Sequence, residues 1–509
     1  MFRNYNLRPA AVAALLLASA TGCEVLTQEP PFALEAEDAF SAGSLDKTAI
    51  GMYNDLQNAE FLGGRALIYS DVRSDDTNTA TFFGNISTFN QQANDGTAAN
   101  AWTAGYRTLY GANFFLQQIA KSGGRVTPAL EEQYKGEAKF IRALVYFHLV
   151  NLYAQPYNFT SDASHLGIPL QLTAPDNPTS AFDPAQNLPR STVKQVYEQM
   201  EKDLTDAIAS LPETYATSAF QRTARATKDA ARGLLSRIYL YQGKYADAAA
   251  MANDVIKGGN HALNPSPATV FTTAGFRTSE SIFSVAMNTA DNPNTNNAIG
   301  QHYLTRRDIT VTPYARIDTL SFRAKDRRRT QLLSPATTNA TNPNLNTYYP
   351  TTATALISTL KYSAGVADYV PIVRYSEVLL NRAEGLAQAD AGISSEAITL
   401  LNTVRTRSLP PIPFYIGGTV TTTVGGAPVT TTYPGIVYTA ASFANKQALI
   451  DAILFERRLE LAFEGHRYYD LMRYKRPSSR IAYGQQKSIL PIPVVDIQQN
   501  PNLVQNPGY

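Results

Sequence analysis

Cysteine and tryptophan are almost absent from this chain, which has one of each among 509 residues. A single cysteine cannot form a disulfide within the chain, so the packed core alone must hold the fold together. The length allows this, because it lies well above the size at which small cores fail. The five histidines do not fall at the spacing of metal ligands, and we therefore expect neither a metal site nor a cofactor.

Neither sign of charge is in excess, since 44 Lys and Arg residues face 42 Asp and Glu residues. Arg3 and Arg8 lie in a leader segment, and its removal leaves equal numbers of basic and acidic residues. The only basic tract is Arg327-Arg328-Arg329. Because nucleic-acid binding requires a basic surface, we expect no nucleic-acid partner. Tyrosine and phenylalanine are abundant instead, and aromatic faces of this kind suit sugars or peptides, although most of them pack in a core.

The apolar run near the N terminus, residues 10–18, is too short to span a bilayer. With the preceding arginines and the following Ala20-Thr21-Gly22-Cys23, it is typical of a secretory signal peptide over residues 1–22. Cys23 stands where a bacterial lipoprotein signal places the acylated residue, although Ala20 occupies a position where leucine is usual. A buried free thiol is the alternative. Residues 23–33 then form a tether in which Pro30-Pro31 blocks any helix, and acylation would hold the protein at a membrane.

Helical periodicity covers most of the remaining chain. Helices are predicted over residues 34–61, 100–121, 128–153, 191–211, 228–241, 245–257, 371–388 and 394–407. The last four form two pairs with small or apolar residues at their contact positions, as in tetratricopeptide repeats. Residues 70–99 and 262–369 are polar and irregular, and residues 409–441 predict a β-hairpin around Gly425-Gly426. The fold class is therefore mainly α, with helix pairs as the scaffold, a long loop-rich insertion and minor β-hairpins.

The segment from Glu456 to Tyr474 has the densest pattern of charged and apolar residues. Three glutamates four residues apart form an acidic stripe, while Arg457 falls within the apolar stripe of the same helix. We therefore expect Arg457 to be buried against a carboxylate, with Glu377 and Glu384 as the best partners. We predict a structural role, and no ligand contact, for the charged residues of this segment and of residues 374–384, and we call them the signature residues. They are Arg374, Glu377, Glu384, Glu456, Arg457, Glu460, Glu464, Arg467, Asp470 and Arg473.

This segment resembles the C-terminal signature of the SusD/RagB family of outer-membrane nutrient-binding lipoproteins. Further similarity lies in Gly136-Glu137-Ala138-Lys139-Phe140-Ile141-Arg142-Ala143, in residues 371–384, and in the closing Leu490-Pro491-Ile492-Pro493 and Asn506-Pro507-Gly508-Tyr509. The resemblance implies one SusD-like domain over residues 34–509, with residues 262–369 as its variable region. It also implies a lipid anchor at the cell surface, capture of an oligomeric nutrient, a glycan first of all, and a SusC-like TonB-dependent transporter as the partner.

The resemblance further implies that ligand contacts come from the loop before the helix that contains Trp102 and from the variable region. The ligand-binding candidates are Arg73, Asp75, Asp76, Phe82, Phe83, Asn100, Trp102, Tyr303 and Tyr314. Trp102 also shares a helix face with Tyr106 and Tyr110 at a spacing that packing would equally require.

Two other functions stay open from the sequence. A helical-repeat scaffold could bind a protein partner or an oligopeptide without any glycan. A surface glycoside hydrolase would need two converging carboxylates, for which Asp75 and Asp76 are the best pair, although adjacent residues rarely face one cleft. No catalytic residue is predicted.

Overall fold

The structure is a computed structural model that describes residues 36–175, 183–272, 275–294, 296–311, 326–334, 357–409, 418–424, 427–433 and 437–509. The predicted signal peptide, the tether, Cys23 and Tyr314 lie outside these residues. Two compact units are distinguishable, Met1–Thr48 and Ala49–Tyr509. The first contains α1 and the start of α2, and all later elements belong to the second.

Helices dominate the architecture. They are α1 (Ala36–Ala39), α2 (Leu45–Asn54), α3 (Arg65–Arg73), α4 (Gly84–Ser87), α5 (Gly96–Lys121), α6 (Pro128–Tyr153), α7 (Val193–Ser210), α8 (Ala219–Ala224), α9 (Lys228–Gln242), α10 (Tyr245–Gly258), α11 (Arg327–Leu332), α12 (Tyr375–Ala389), α13 (Ser395–Arg407), α14 (Lys446–Glu460), α15 (Arg467–Arg473) and α16 (Val494–Gln499). None of the helices in the described ranges is both long and apolar enough to cross a membrane.

Within the described ranges, the strands form three two-stranded antiparallel sheets. They are β1 (Thr77–Thr79), β2 (Ser281–Val285), β3 (Ile309–Val311), β4 (Val370–Arg374), β5 (Gly418–Val424) and β6 (Ala427–Tyr433). β1 pairs with β3, β2 with β4, and β5 with β6. The last pair is the hairpin predicted within residues 409–441, and its register places Val424 opposite Ala427.

Local signals in the sequence explain where the long helices begin and end. The Thr127 hydroxyl accepts the backbone N–H three residues later, directly before Pro128 at the first helical position of α6. Thr192 and Gln195 form a reciprocal capping box at the start of α7. Gly243 ends α9 with φ of 75°, a left-handed conformation that favours glycine. These helices therefore have the predicted bounds to within two residues.

The tetratricopeptide-like scaffold is present as antiparallel helix pairs packed through small residues. Ala383 and Ala387 of α12 and Ala397 and Leu401 of α13 are fully buried, and they share one core cluster with Ile453 of α14. Across the other face of α12, Gly385 lies against α10. Small side chains at these positions allow the helix backbones to approach closely, as the sequence predicted.

Replacing Gly385 with alanine is expected to lower the free energy of unfolding by about 1 to 3 kcal/mol, the typical cost of overpacking a core. A Cβ atom there would lie 2.6 Å from the Tyr245 carbonyl oxygen and 3.0 Å from the Ala249 Cβ. Gly51→Ala in α2 is the matched control, because a Cβ at Gly51 meets no atom within 4 Å. Alanine has the higher helix propensity, so the control should gain up to about 1 kcal/mol. Urea unfolding measures both, and equal stabilities would contradict the close approach of α10 and α12.

Four predicted helices differ from the structure. The predicted helix over residues 34–61 is interrupted between α1 and α2 and ends at Asn54, where a 3₁₀ turn follows, and the helix predicted over residues 100–121 begins earlier, at Gly96. The first residues of the predicted 371–388 helix form β4, because Val370, Ile372 and Val373 are β-branched and this segment pairs with β2. The C-terminal signature is also split, since α14 ends at Glu460 and α15 begins at Arg467.

Candidate functional site

The two segments that were predicted to contact a ligand, residues 73–100 and 294–314, meet in the β1–β3 sheet. Thr77 is opposite Val311, and Thr79 is opposite Ile309. The Ala80 N–H then donates to the Asp308 carbonyl oxygen at 2.7 Å. Backbone hydrogen bonds thus hold together two loops that are more than 200 residues apart in the chain.

Phe82 lies directly after this sheet and is 47% exposed. The guanidinium carbon of Arg306 is 4.8 Å from the centre of its ring, and that of Arg65 is 5.3 Å away. Arg65 also donates to the Asn297 side-chain oxygen at 2.9 Å. We call Phe82, Arg65, Asn297, His302 and Arg306 the Phe82 surface. Arg65 and His302 are buried and support the ring, whereas Phe82, Asn297 and Arg306 are accessible. The accessible members are an aromatic ring, an amide and a guanidinium group, which are the side chains that bind the faces and hydroxyls of sugars.

Asp308 orients two members of the Phe82 surface. Its Oδ2 lies 2.8 Å from the Nδ1 of His302 and 2.8 Å from the Nη2 of Arg306. Burial lowers the pKa of His302, and this outweighs the opposite effect of Asp308, so its ring is neutral at pH 7 with Nδ1 donating to the carboxylate. The ring packs 5.4 Å from that of Phe82 and 5.0 Å from that of Phe83.

Strained backbone conformations occur in both loops. Phe89, Asn294 and Arg307 have φ values of 57°, 72° and 55°. A side chain in this left-handed region costs of order 1 to 3 kcal/mol and persists only where the surroundings require it. Ala163, Phe463 and Lys475, outside the two loops, have positive φ values as well, so this strain does not by itself distinguish the region.

Four of the predicted ligand residues are packing residues in the structure, and the expectation that they contact a ligand is corrected here. Arg73 and Tyr303 are at most 1% exposed, and Phe83 and Trp102 at most 3%. Each has internal partners instead. Arg73 donates from Nε to the Tyr69 carbonyl oxygen, Trp102 donates to Asp496 at 3.1 Å, and Tyr303 donates to Asp71 at 2.7 Å. The spacing of Trp102, Tyr106 and Tyr110 on one helix face is therefore explained for Trp102 by packing and not by ligand binding.

The remaining predicted residues are divided between two regions. Asp76 is buried and accepts from Arg458 Nε at 2.9 Å, while an Asp75 oxygen lies 3.8 Å from Arg467. Both carboxylates therefore face cations of the C-terminal segment. Asn100 is exposed near the start of α5, and its role in ligand binding stays a prediction, as does that of Phe82.

Sequence reasoning did not find Arg65, Asn297 and Arg306 as members of the site. Arg65 lies on α3, where no basic residue follows it at a spacing of three or four positions, so the sequence shows no basic stripe there. The positions of the other two within an irregular, Asn-rich loop carry no periodic signal. Only the pairing of β1 with β3 brings them to one surface.

The signature residues form a buried network of ion pairs, separate from the Phe82 surface. Arg374 binds Glu464 at 2.7 Å and Glu280 at 2.9 Å, and Arg328 binds Glu456 at 2.5 Å. The other close pairs are Arg407 with Glu460, Lys361 with Glu464, Arg473 with Asp470 and Glu384, and Arg237 with Glu377. The acidic stripe therefore turns inward and joins α14 to β4, α11 and α13.

Arg457 is fully buried, as its position in the apolar stripe predicted. Its Nε lies 3.6 Å from Glu384 and 3.5 Å from Asp470, and its Nη1 donates to Asn381 at 2.6 Å. Glu377, the other expected partner, binds Arg237 instead. Burial by itself raises the pKa of Glu377, but the adjacent Arg237 contributes most to lowering it to about 2. Among the residues that the structure describes, no group of three His, Cys, Asp or Glu side chains could hold a metal ion.

The fold and these features define a class of mainly helical proteins with a tetratricopeptide-like scaffold and two paired surface loops. A family model described as "Starch-binding associating with outer membrane" matches residues 26–240, and the SusD family model matches residues 305–488. The chain belongs to the SusD/RagB family.

Individual relatives agree with this assignment. SusD-like protein P2 of Formosa agariphila is 26% identical over 562 aligned positions, which cover 97% of this chain and 98% of that protein. A SusD superfamily protein from Bacteroides fragilis is 25% identical, with a TM-score of 0.72 over 91% of this chain and 99% of its own. A structure described as a putative sugar binding protein from Bacteroides vulgatus has 24% identity and a TM-score of 0.72 over 92% of this chain and 99% of its own, and shows the fold alone.

Proposed function

We propose that this protein is a cell-surface binding protein that captures an oligomeric glycan and delivers it to a SusC-like TonB-dependent transporter of the outer membrane. The observation that carries this proposal is the pairing of β1 with β3, which presents the exposed ring of Phe82 beside Asn297 and Arg306. The description of the matching family, "Starch-binding associating with outer membrane", supports a saccharide as the ligand.

Attachment to the outer membrane follows from the same proposal. The predicted signal peptide ends at Gly22, directly before Cys23, and acylation of Cys23 would attach the protein to the membrane through residues 23–33. A tethered protein can close over a transporter and open again while it stays at the membrane. The matching family's association with the outer membrane supports this location.

The site favours a binding protein over a glycoside hydrolase. Hydrolysis of a glycosidic bond needs one carboxyl group as an acid and a second as a base or nucleophile. Asp76 is buried in an ion pair with Arg458, and Asp75 accepts from the Ser479 backbone N–H. Both carboxylates are engaged within the protein, and neither lies at the Phe82 surface.

Phe82→Ala is expected to weaken glycan binding about 10-fold, because loss of an aromatic stacking surface costs about 1 to 1.5 kcal/mol. The wild-type affinity should be modest, about −4 to −8 kcal/mol, since an open surface covers its ligand only in part. A glycan array identifies the oligosaccharide that the wild type binds, and calorimetric titration compares the variants.

Phe159→Ala is the matched control, because Phe159 is 40% exposed and packs on His165, away from the two loops. Both variants should melt close to the wild-type temperature. The proposal is wrong if the wild type binds no glycan on the array, or if Phe82→Ala and Phe159→Ala bind with equal affinity.

A further inference from the structure

A cavity lies between α2, α8 and β2, and the proposed function does not involve it. Its volume is about 310 Å³, whereas three cavities elsewhere in the described residues measure 10 to 20 Å³. The smaller cavities have room for about one water molecule. The larger one falls within the range of small-molecule sites.

Aromatic rings form one wall of this cavity. Phe220 of α8 lines it and is 45% exposed. Tyr369 lines the same cavity and stacks on Phe276, with the rings 5.4 Å apart. A half-exposed ring fixed at the edge of a cavity can stack against the apolar face of a sugar ring.

Arg277 stands between these two rings. Its guanidinium carbon is 5.7 Å from the Phe220 ring and 5.9 Å from the Tyr369 ring, and Nη2 donates to the Tyr369 hydroxyl at 3.2 Å. Arg277 forms no ion pair with any carboxylate in the described ranges. Arg225, the other arginine of the lining, differs in this respect because Glu137 binds it at 2.7 Å. Arg277 is therefore oriented by its neighbours and open to an external anion.

Polar side chains complete the lining of this cavity. The amide of Asn54 and the carboxylate of Asp291 supply groups that bind the hydroxyls of a sugar.

From this combination we propose that the cavity is a second saccharide site, which takes a sugar that carries a carboxylate, a hexuronate unit of an acidic glycan. The sugar face stacks on Phe220, its carboxylate binds Arg277, and a ring hydroxyl binds the amide of Asn54. This inference rests on the proposed function only in taking saccharides as the ligand class, since it concerns different residues.

Calorimetric titration with uronate trimers tests the site. Trimers of galacturonate, glucuronate and mannuronate are each compared with the trimer of the corresponding neutral hexose. We expect the wild type to bind at least one uronate trimer 10-fold or more tightly than its neutral counterpart. Arg277→Gln should remove that preference, and Phe220→Ala should weaken uronate binding at least 5-fold. Arg476→Gln and Phe159→Ala, at an exposed arginine and phenylalanine elsewhere, should behave as the wild type.

Phe82→Ala separates this site from the Phe82 surface. The variant should lose affinity for the array glycan and keep the uronate preference. The second site is overturned if the wild type shows no uronate preference, or if the preference persists in Arg277→Gln. The proposed function instead fails when Phe82→Ala leaves binding of the array glycan unchanged, so the two failures have different signatures.

Discussion

Arg457→Ala is expected to lower the free energy of unfolding by about 3 to 5 kcal/mol, the cost of removing one partner from a buried group of charges. Arg457 is 0% exposed and lies within 3.6 Å of carboxylates from α12 and α15. Without it, Arg473 is the one cation that stays within ion-pair distance of Glu384 and Asp470 in the described part of the chain, and the Asn381 side-chain oxygen loses its donor. Those carboxylates cannot gain compensating water, because they are buried in the core.

Arg476→Ala is the control for this prediction, because Arg476 forms a surface pair with Asp451 at 2.6 Å, with side chains 43% and 49% exposed. A surface pair contributes at most about 1 kcal/mol. Urea unfolding followed by circular dichroism measures both variants. A loss below 1 kcal/mol in Arg457→Ala would show that the buried network does not depend on this residue. If the alanine variant does not accumulate, Arg457→Lys retains the charge without the guanidinium and should lie between the two.

Asp71→Asn is expected to stabilise the protein at pH 9 and to leave its stability nearly unchanged at pH 4. Burial raises the pKa of Asp71 to about 8, in spite of hydrogen bonds from Tyr303 and from the Gly465 N–H. The same carboxyl titrates near 3.9 in an unfolded chain. Between these values the native state binds a proton that the unfolded state lacks, so stability falls as pH rises from about 4 to about 8.

An asparagine at this position removes that dependence and keeps the local contacts. Its oxygen can accept from the Gly465 N–H, and its amide can donate to the Tyr303 hydroxyl. The pH-dependent loss in the wild type is up to about 6 kcal/mol, from 1.36 kcal/mol for each unit of pKa difference. Urea unfolding at pH 4 and pH 9 measures the effect. Asp451→Asn, at an exposed carboxylate, should change stability by less than about 0.5 kcal/mol at both pH values.

The prediction is wrong if the difference in free energy of unfolding between the wild type and Asp71→Asn is the same at pH 4 and at pH 9. That result would show that Asp71 is ionised in the native state.

The protonation of Asp71 also bears on the Phe82 surface. Tyr303 belongs to the short helical turn Gln301–Thr305, which includes His302. Ionisation of Asp71 therefore acts on the segment that supports Phe82.

The scaffold could be predicted from the sequence because its determinants are local. The bounds of α6 follow from Thr127-Pro128 and an uninterrupted amphipathic pattern, and Gly243 marks the end of α9. The hairpin around Gly425-Gly426 follows from turn chemistry and β-branched residues. The burial of Arg457 followed from its place in an apolar stripe, since helical periodicity assigns residues to faces before any tertiary contact is known. The sequence motifs of the SusD/RagB family could likewise be recognised without the structure.

The site could not be predicted to the same depth, because it depends on contacts between distant segments. Phe82 and Phe83 are adjacent and chemically identical, yet one is 47% exposed and the other 1%. Arg65 and Arg306 reach one ring only because β1 pairs with β3, and Tyr303 turns inward because Asp71 offers its carboxyl group. The sequence by itself determined the helices, the family and the buried charges. The tertiary structure alone decided which loop residues face solvent, because exposure is set by packing across the chain and not by spacing along it.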